Sequence, residues 1–341
     1  MPHRPPPISQ AASRITAAAL FLYASALAAC GGGSSYGLGG GGGPYPSPSP
    51  SAHPSPSPNQ SPTIFYTASG NAIFKYSLSA NGTFTQQAEI TGPNTGLTTA
   101  YGVALDSAGN VYAVNNSGQS ASITEYAAGS NGDAAPVSTI QGPNTQLFGP
   151  YGIALDGLSN IYVANNSGNY VTEYAAGTNG DVSPISMISG PMLGAPMGIA
   201  IDESGNIFVT HGIANGGANA ALEYAPGANG TPAPIALIPG SDGAAGVAPG
   251  GPSGYIYVSV DGISEFAPPT VGNMYGRVGN VGLAGTLGAA LDSAGRVFVV
   301  AGGNFSTSTF GNTIEVFNSN LAGGTALYSL SIGAWGIAVQ R

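Results

Sequence analysis

The chain has 341 residues, of which 55 are Gly and 27 Pro, 6% are charged and 43% hydrophobic, with a formal net charge of -9. One Cys and three His exclude a disulfide scaffold and a Cys/His zinc site, and six Lys+Arg without a cluster exclude the basic footprint of a nucleic-acid binder. Gly and Pro at this density interrupt almost any long helix, while the apolar fraction suffices for a large core.

Residues 1–29 read as a secretory signal: Arg4 and Arg14 make a basic start, Ile15 to Ala29 is apolar, and small residues close the stretch. About fifteen apolar residues fall short of the roughly twenty that a membrane-spanning helix requires. Leu27-Ala28-Ala29-Cys30 resembles a bacterial lipoprotein box. The resemblance implies lipid on the Cys30 thiol, cleavage before it, and acylation of the new amine. As the single cysteine, Cys30 has no intramolecular partner, and two or more acyl chains would anchor it stably in a membrane. Gly31 follows where an Asp would signal inner-membrane retention, so the resemblance implies the outer membrane of a bacterial cell envelope.

Residues 30–62 form a linker. Gly31 to Gly43 reads as flexible coil, and Pro44 to Pro62, alternating Pro with Ser, favours extended polyproline II with a reach of about 60 Å. Residues 63–341 are the folded domain.

That domain repeats. Gly-apolar-Ala recurs at Gly102, Gly152, Gly198, Gly246, Gly288 and Gly336, 42 to 50 residues apart. A β-type run with a central aromatic follows each of the first five, at Tyr112, Tyr162, Phe208, Tyr257 and Phe298. A third run ends in Tyr126, Tyr174, Tyr224, Phe266 or Phe317, and a fourth lies near Val137, Ile185, Ile235, Val278 and Leu327. Short strands with a periodic aromatic at this spacing describe four-stranded propeller blades. The ends complete the count. Thr63 to Ile90 carries a second strand with Phe65, a third with Tyr76 and a fourth, but no Gly-apolar-Ala strand; Trp335 to Val339 is such a strand alone. The expected fold is therefore all-β, a six-bladed β-propeller closed by pairing of the N- and C-terminal strands, which removes exposed sheet edges. A parallel β-helix has repeats about half this length.

Tyr151-Gly152-Ile153-Ala154-Leu155-Asp156 followed by Asn160-Ile161-Tyr162-Val163 resembles NHL-type propeller repeats, and the resemblance extends over residues 63–341. The repeat around Pro249 departs from it, lacking the following Asp. Such propellers host binding modules, lactonases and lyases alike, so the resemblance implies a fold and leaves the activity open.

Individual columns have structural readings. Asp106, Asp156, Asp202 and Asp292 stand before Gly/Ser/Asn turns and fit Asx-type acceptors of turn amides. The twelve aromatics fit blade-to-blade packing. Glu125, Glu173, Glu223 and Glu265 fit exposed or hydroxyl-bonded edge residues.

Spacing between the second- and third-strand aromatics varies from 9 to 19 residues, whereas the preceding connection is nearly constant. Variable loops gather on the rim shared with the blade-to-blade crossovers and mark the expected working side. Asn115, Asn116, Asn165, Asn166, His211, Asp261 and Asn304 are its candidate binding residues, and the amide-rich, nearly uncharged composition suits a neutral glycan or a protein partner. No catalytic residue and no resident metal or cofactor is expected, and the domain reads as a monomer that meets the membrane only through Cys30. Two alternatives stand beside this binding module. One is a metal-dependent lactonase or lyase of the gluconolactonase or streptogramin-lyase type, in which Asn115, Asn165 and Asp261 would imitate part of a divalent-cation set, although no Glu completes it. The other is a structural envelope component without a discrete ligand.

Overall fold

The computed structural model describes residues 61–211, 219–240, 244–250, 254–260, 262–283, 285–302, 311–319, 321 and 324–340. The signal segment, Cys30, the linker to residue 60, Asp261 and Asn304 lie outside them.

Among the described residues, twenty-four strands make six four-stranded antiparallel sheets. The first blade holds β1 (Thr63–Ser69), β2 (Ala72–Leu78) and β3 (Phe84–Thr91). The second holds β4 (Ala100–Leu105), β5 (Val111–Asn115), β6 (Ser122–Tyr126) and β7 (Ser138–Gln141); the third β8 (Pro150–Leu155), β9 (Ile161–Asn165), β10 (Tyr170–Tyr174) and β11 (Ser186–Ser189). The fourth holds β12 (Pro196–Ile201), β13 (Ile207–His211), β14 (Asn219–Tyr224) and β15 (Ala236–Pro239); the fifth β16 (Val247–Pro249), β17 (Ile256–Val258), β18 (Ile263–Ala267) and β19 (Gly276–Val281). The sixth holds β20 (Gly288–Leu291), β21 (Val297–Ala301), β22 (Gly311–Phe317) and β23 (Tyr328–Ala334), and β24 (Gly336–Val339) returns to the first blade.

The closing sheet has the order β24-β1-β2-β3, with Phe65 opposite Val339 and Ala68 opposite Gly336. Backbone bonds extend the seam: the Trp335 amide donates to Ala68 O (2.9 Å) and the Gln340 amide to Ile64 O (2.8 Å). Head and tail thus share a sheet, as the repeat arithmetic predicts. No sheet keeps an unpaired inner strand in want of a blade, and the three-residue β16 falls where Pro249 cannot donate to a ladder.

All twelve column aromatics are buried, Tyr76 being the most accessible at 7%. They pack between blades; Phe65, for example, meets Phe298 of the sixth blade at 5.5 Å between ring centroids. Burial of each such side chain stabilises the ring by about 1.5–3 kcal/mol. The motif glycines have a different origin. A Cβ on Gly102 would stand 2.6 Å from Tyr151 O, on Gly152 2.4 Å from Met197 O, on Gly198 2.4 Å from Ala245 O, and on Gly336 2.5 Å from Tyr101 O. At these four positions the inner strand lies directly against the backbone of the next, an approach that only Gly permits, whereas a Cβ on Gly288 would stand 3.4 Å from Trp335 O. The circle of contacts closes from the last inner strand to the first.

A second device links the blades from outside. Gly132 forms a parallel bridge with Ile90 of β3, its amide donating to Glu89 O (2.7 Å) and its carbonyl accepting the Thr91 amide (3.0 Å), while Asn131 Oδ1 accepts the Glu89 amide (2.9 Å). Asn179-Gly180 repeats this on β7 and Asn229-Gly230 on β11, and Met274 bridges Leu237 of β15. In the second to fifth blades the third-to-fourth-strand connection thus adds a short edge segment to the preceding blade and covers it.

The four Asp side chains bind as the turn reading predicts. Asp156 Oδ1 accepts the amides of Leu158 (2.9 Å) and Asn160 (2.8 Å), and Oδ2 accepts Asn160 Nδ2 (2.9 Å). Asp106 and Asp202 repeat the pattern with Asn110 and Asn206, and Asp292 does so with Arg296, whose Nε lies 2.7 Å from Oδ2. The Glu column is more interior than expected. Glu223 and Glu265 are only 7% exposed. Tyr162 donates to Glu173 Oε1 (2.9 Å) and Tyr257 to Glu265 Oε1 (3.2 Å), and Tyr112 is bonded to Glu125. Phe208 has no hydroxyl to give Glu223, and Tyr275 from the next blade supplies it. Where Phe298 faces Val316, neither polar partner is present. Burial raises the pKa of Glu223 and of Glu265, opposed in each case by the tyrosine hydrogen bond.

Candidate binding site at the loop end of the ring

Strand polarity gives the ring two ends. First strands run from the crossovers to the Asp turns, second strands return, and third and fourth strands repeat the round trip. One end, the Asp end, carries the Asp turns and the third-to-fourth connections. The other, the loop end, carries the second-to-third loops and the crossovers between blades. Thr63 opens a second strand, so the chain enters the ring at the Asp end.

The axis is lined by the six inner strands, each at the edge of its sheet, so one row of backbone N–H and C=O groups faces the channel. Toward the Asp end lies a cavity of about 430 Å³, walled by apolar side chains such as Leu105, Leu155, Ile201 and Leu291. Asp106 is its one charged lining residue, and that carboxylate already accepts three hydrogen bonds. At the loop end the channel narrows to a cavity of about 80 Å³ within the glycine circle.

The residue before each motif glycine forms the mouth there: Trp335, Tyr101, Tyr151, Met197, Ala245 and Leu287 in order around the axis. Three consecutive positions are aromatic. Tyr101 lies between the other two, 4.9 Å from Trp335 and 4.6 Å from Tyr151 between ring centroids. The Tyr151 phenol is held above its ordinary pKa by burial first, then by the Tyr101 phenol to which it is hydrogen-bonded. Trp335 is buried at 6% exposure, and Tyr101 and Tyr151 are partly open.

The sequence candidates are located as follows. Asn115 and Asn165 end β5 and β9 and are fully buried. Asn115 Oδ1 accepts the Thr98 amide (3.0 Å) while Nδ2 reaches Ser122 and Thr124 hydroxyls; Asn165 Oδ1 accepts the Phe148 amide (2.9 Å) while Nδ2 donates to Val163 O and Thr172 Oγ1. Both amides pin a crossover onto its blade. Their oxygens are engaged by backbone amides, so these two do not fit the divalent-cation set of a lactonase. Asn116 and Asn166 follow on the half-buried rim, and Asn166 Nδ2 bridges Ala195 O (3.1 Å) and Pro196 O (3.3 Å) of the next crossover. His211 ends β13 at 4% exposure, its backbone opposite Pro196. Among the described residues no three His, Cys, Asp or Glu side chains come together as a metal group, and no helix is long and apolar enough to cross a membrane. The aromatic arc itself was available to sequence reasoning as the position preceding each motif glycine.

Six blades of four antiparallel strands around a channel, with a regular end and a varied end, define a β-propeller. No family model matches the chain, and no curated protein matches it. Solved structures do resemble it: a protein of unknown function from Bacteroides caccae (14% identity, 82% of this chain and 100% of that one, TM-score 0.56), a protein from Lactobacillus plantarum (14%, 82% and 99%, 0.52), and the WD40 repeats of RRP9 (12%, 81% and 80%, 0.53). At these identities the likeness concerns the fold alone.

Proposed function

We propose that the chain is a lipid-anchored extracytoplasmic binding module built of NHL-type repeats, held at a bacterial outer membrane by Cys30 and receiving a neutral partner, glycan or protein, at the loop end of the ring. One observation carries this reading. At the loop end, length and composition vary between blades, while the described Asp turns repeat one pattern. The Asp end repeats one turn four times with its carboxylates already engaged. The loop end combines an aromatic arc with Asn and Gln side chains on pinned crossovers, and small ligands and partners are typically held by apolar surface with a few placed polar groups.

The test is retention of envelope material. Full-length protein is incubated with envelope polysaccharide and envelope protein fractions of its source cell, beside the triple variant Asn116→Ala, Gln146→Ala, Asn166→Ala. The expected result is retention of one fraction by the parent and its loss in the variant. Retention of neither fraction by a folded parent, or equal retention by both proteins, contradicts the reading. Palmitate labelling should disappear in Cys30→Ser; labelling that survives contradicts the anchor.

A further inference from the structure

We infer that the loop-end surface of the second and third blades, built on Tyr101, Phe148, Tyr151 and Tyr170, is a stacking platform for a neutral oligosaccharide. The inference rests on the loop end being the binding end and adds the ligand class and the place.

Apolar exposure is divided between the ends by residue type. At or near the Asp end the exposed large side chains are Val137, Leu158, Ile185, Ile235, Val271, Met274, Val278 and Leu327, spread singly around the perimeter. Among the described residues at the loop end they are Phe148, 52% exposed, and Met192. Phe148 stands on the crossover that leads directly into Tyr151, and partly open Tyr170 lies over the same crossover, its hydroxyl donating to Gln146 O (2.8 Å). Tyr151 follows Phe148 by three residues at the channel mouth, in ring contact with Tyr101. Aromatic side chains thus stand at the loop end of the third blade from Tyr170 and Phe148 to the mouth, whereas the mouth positions of the fourth, fifth and sixth blades are Met197, Ala245 and Leu287.

The platform is held before any ligand arrives. Asn165 fixes the backbone at Phe148, Tyr170 fixes it at Gln146, and Asn144 is tied to Asp181, which accepts both its amide (2.8 Å) and its Nδ2 (3.0 Å). Ligand binding then requires little ordering of these loops.

Charge narrows the class. Asp181 and the equivalent Asp133 are engaged by Asn144 and Asn94. The described cations lie elsewhere: Lys75 stands over the Tyr66 ring, Arg296 in an Asp turn, and Arg277 at the start of β19. With no cation beside the platform among the described residues, phosphate, sulfate and uronate groups find no charged partner there. A pyranose ring supplies what fits: a face of C–H bonds for the aromatic rings, whose faces are electron-rich, and an edge of hydroxyls for the amides of Gln146 and Asn116 and for Asn166 Oδ1, whose Nδ2 is already engaged.

The single Trp of the chain reports on this site from behind it, since Trp335 packs on Tyr101. Trp335 emission of the full-length protein in detergent is titrated with maltohexaose, cellohexaose and chitohexaose. At least one should give a saturable change, and Phe148→Ala, an exposed position whose loss leaves the core intact, should weaken it about tenfold, or about 1.4 kcal/mol. Tyr151→Leu should weaken it further. No saturable response to any of the three sugars overturns the inference, as does a response that both variants leave unaltered. If envelope protein is retained while the sugars fail, the ligand class falls and the binding-module reading stands; if nothing is retained, both fall.

Discussion

The two ends of the ring are made by the same repeats and behave differently. At the Asp end, one side chain recurs four times and makes the same three bonds each time, with Arg296 replacing Asn in the sixth blade without altering the geometry. At the loop end the equivalent positions diverge: second strands end in Asn115, Asn165, His211 and Ala301, and the mouth carries rings on one half only. A turn that only has to reverse the chain has one good solution, and repeats converge on it. Loops that meet something outside the chain have no such reason to agree.

This contrast can be broken in order of expected effect. Gly152→Val places a branched side chain against Met197 O, where even a Cβ would stand 2.4 Å away, so the inner circle must open; a loss of about 3 kcal/mol or more in chemical denaturation is expected. Gly288→Ala, whose Cβ would meet Trp335 O at 3.4 Å, should cost far less. Equal losses in the two variants would refute direct strand contact as the reason for the motif glycine. Asp156→Ala removes three bonds from a turn and should cost about 1–3 kcal/mol, with binding unchanged. Asn165→Ala should cost a similar amount but also weaken partner retention, because it releases the crossover that bears Phe148. If both variants left retention intact, the division of labour between the ends would be wrong.

The smallest effect concerns pH. Burial raises the pKa of Glu265 in the fold, so the folded protein binds its proton more tightly than the unfolded chain does. The stability this contributes is full below the unfolded value, near 4.5, and is lost as pH rises through the folded one. Glu265→Gln should flatten that decline while retaining a partner for Tyr257. A variant whose melting temperature follows the parent at every pH would contradict the interior placement of this carboxyl.

Blade number, ring closure, aromatic columns and Asp turns were all legible, because each arises from a pattern internal to one repeat or from simple counting of strands. What escaped depends on neighbours. The motif glycine looks like a strand marker until the next blade's carbonyl is in view. The Asn131-Gly132 bridge looks like a turn because its partner strand lies in the preceding blade. Glu223 and Tyr275 are 52 residues apart in sequence, and their bond exists only because Phe208 lacks a hydroxyl. Asn115 and Asn165 were recognisable as loop-end residues, but their burial under the crossovers was not, since a short polar Asn reads equally as surface or as pin.

Everything said of the two ends depends on the head of the chain and its tail sharing one sheet, and amide hydrogen exchange along residues 335–340 examines that most directly. The Trp335 and Gln340 amides, bonded to Ala68 O and Ile64 O, should exchange only with global unfolding, at rates matching the centre of β9. Exchange of this segment within seconds, while β9 stays protected, would mean an open ring and would contradict the closed six-bladed account.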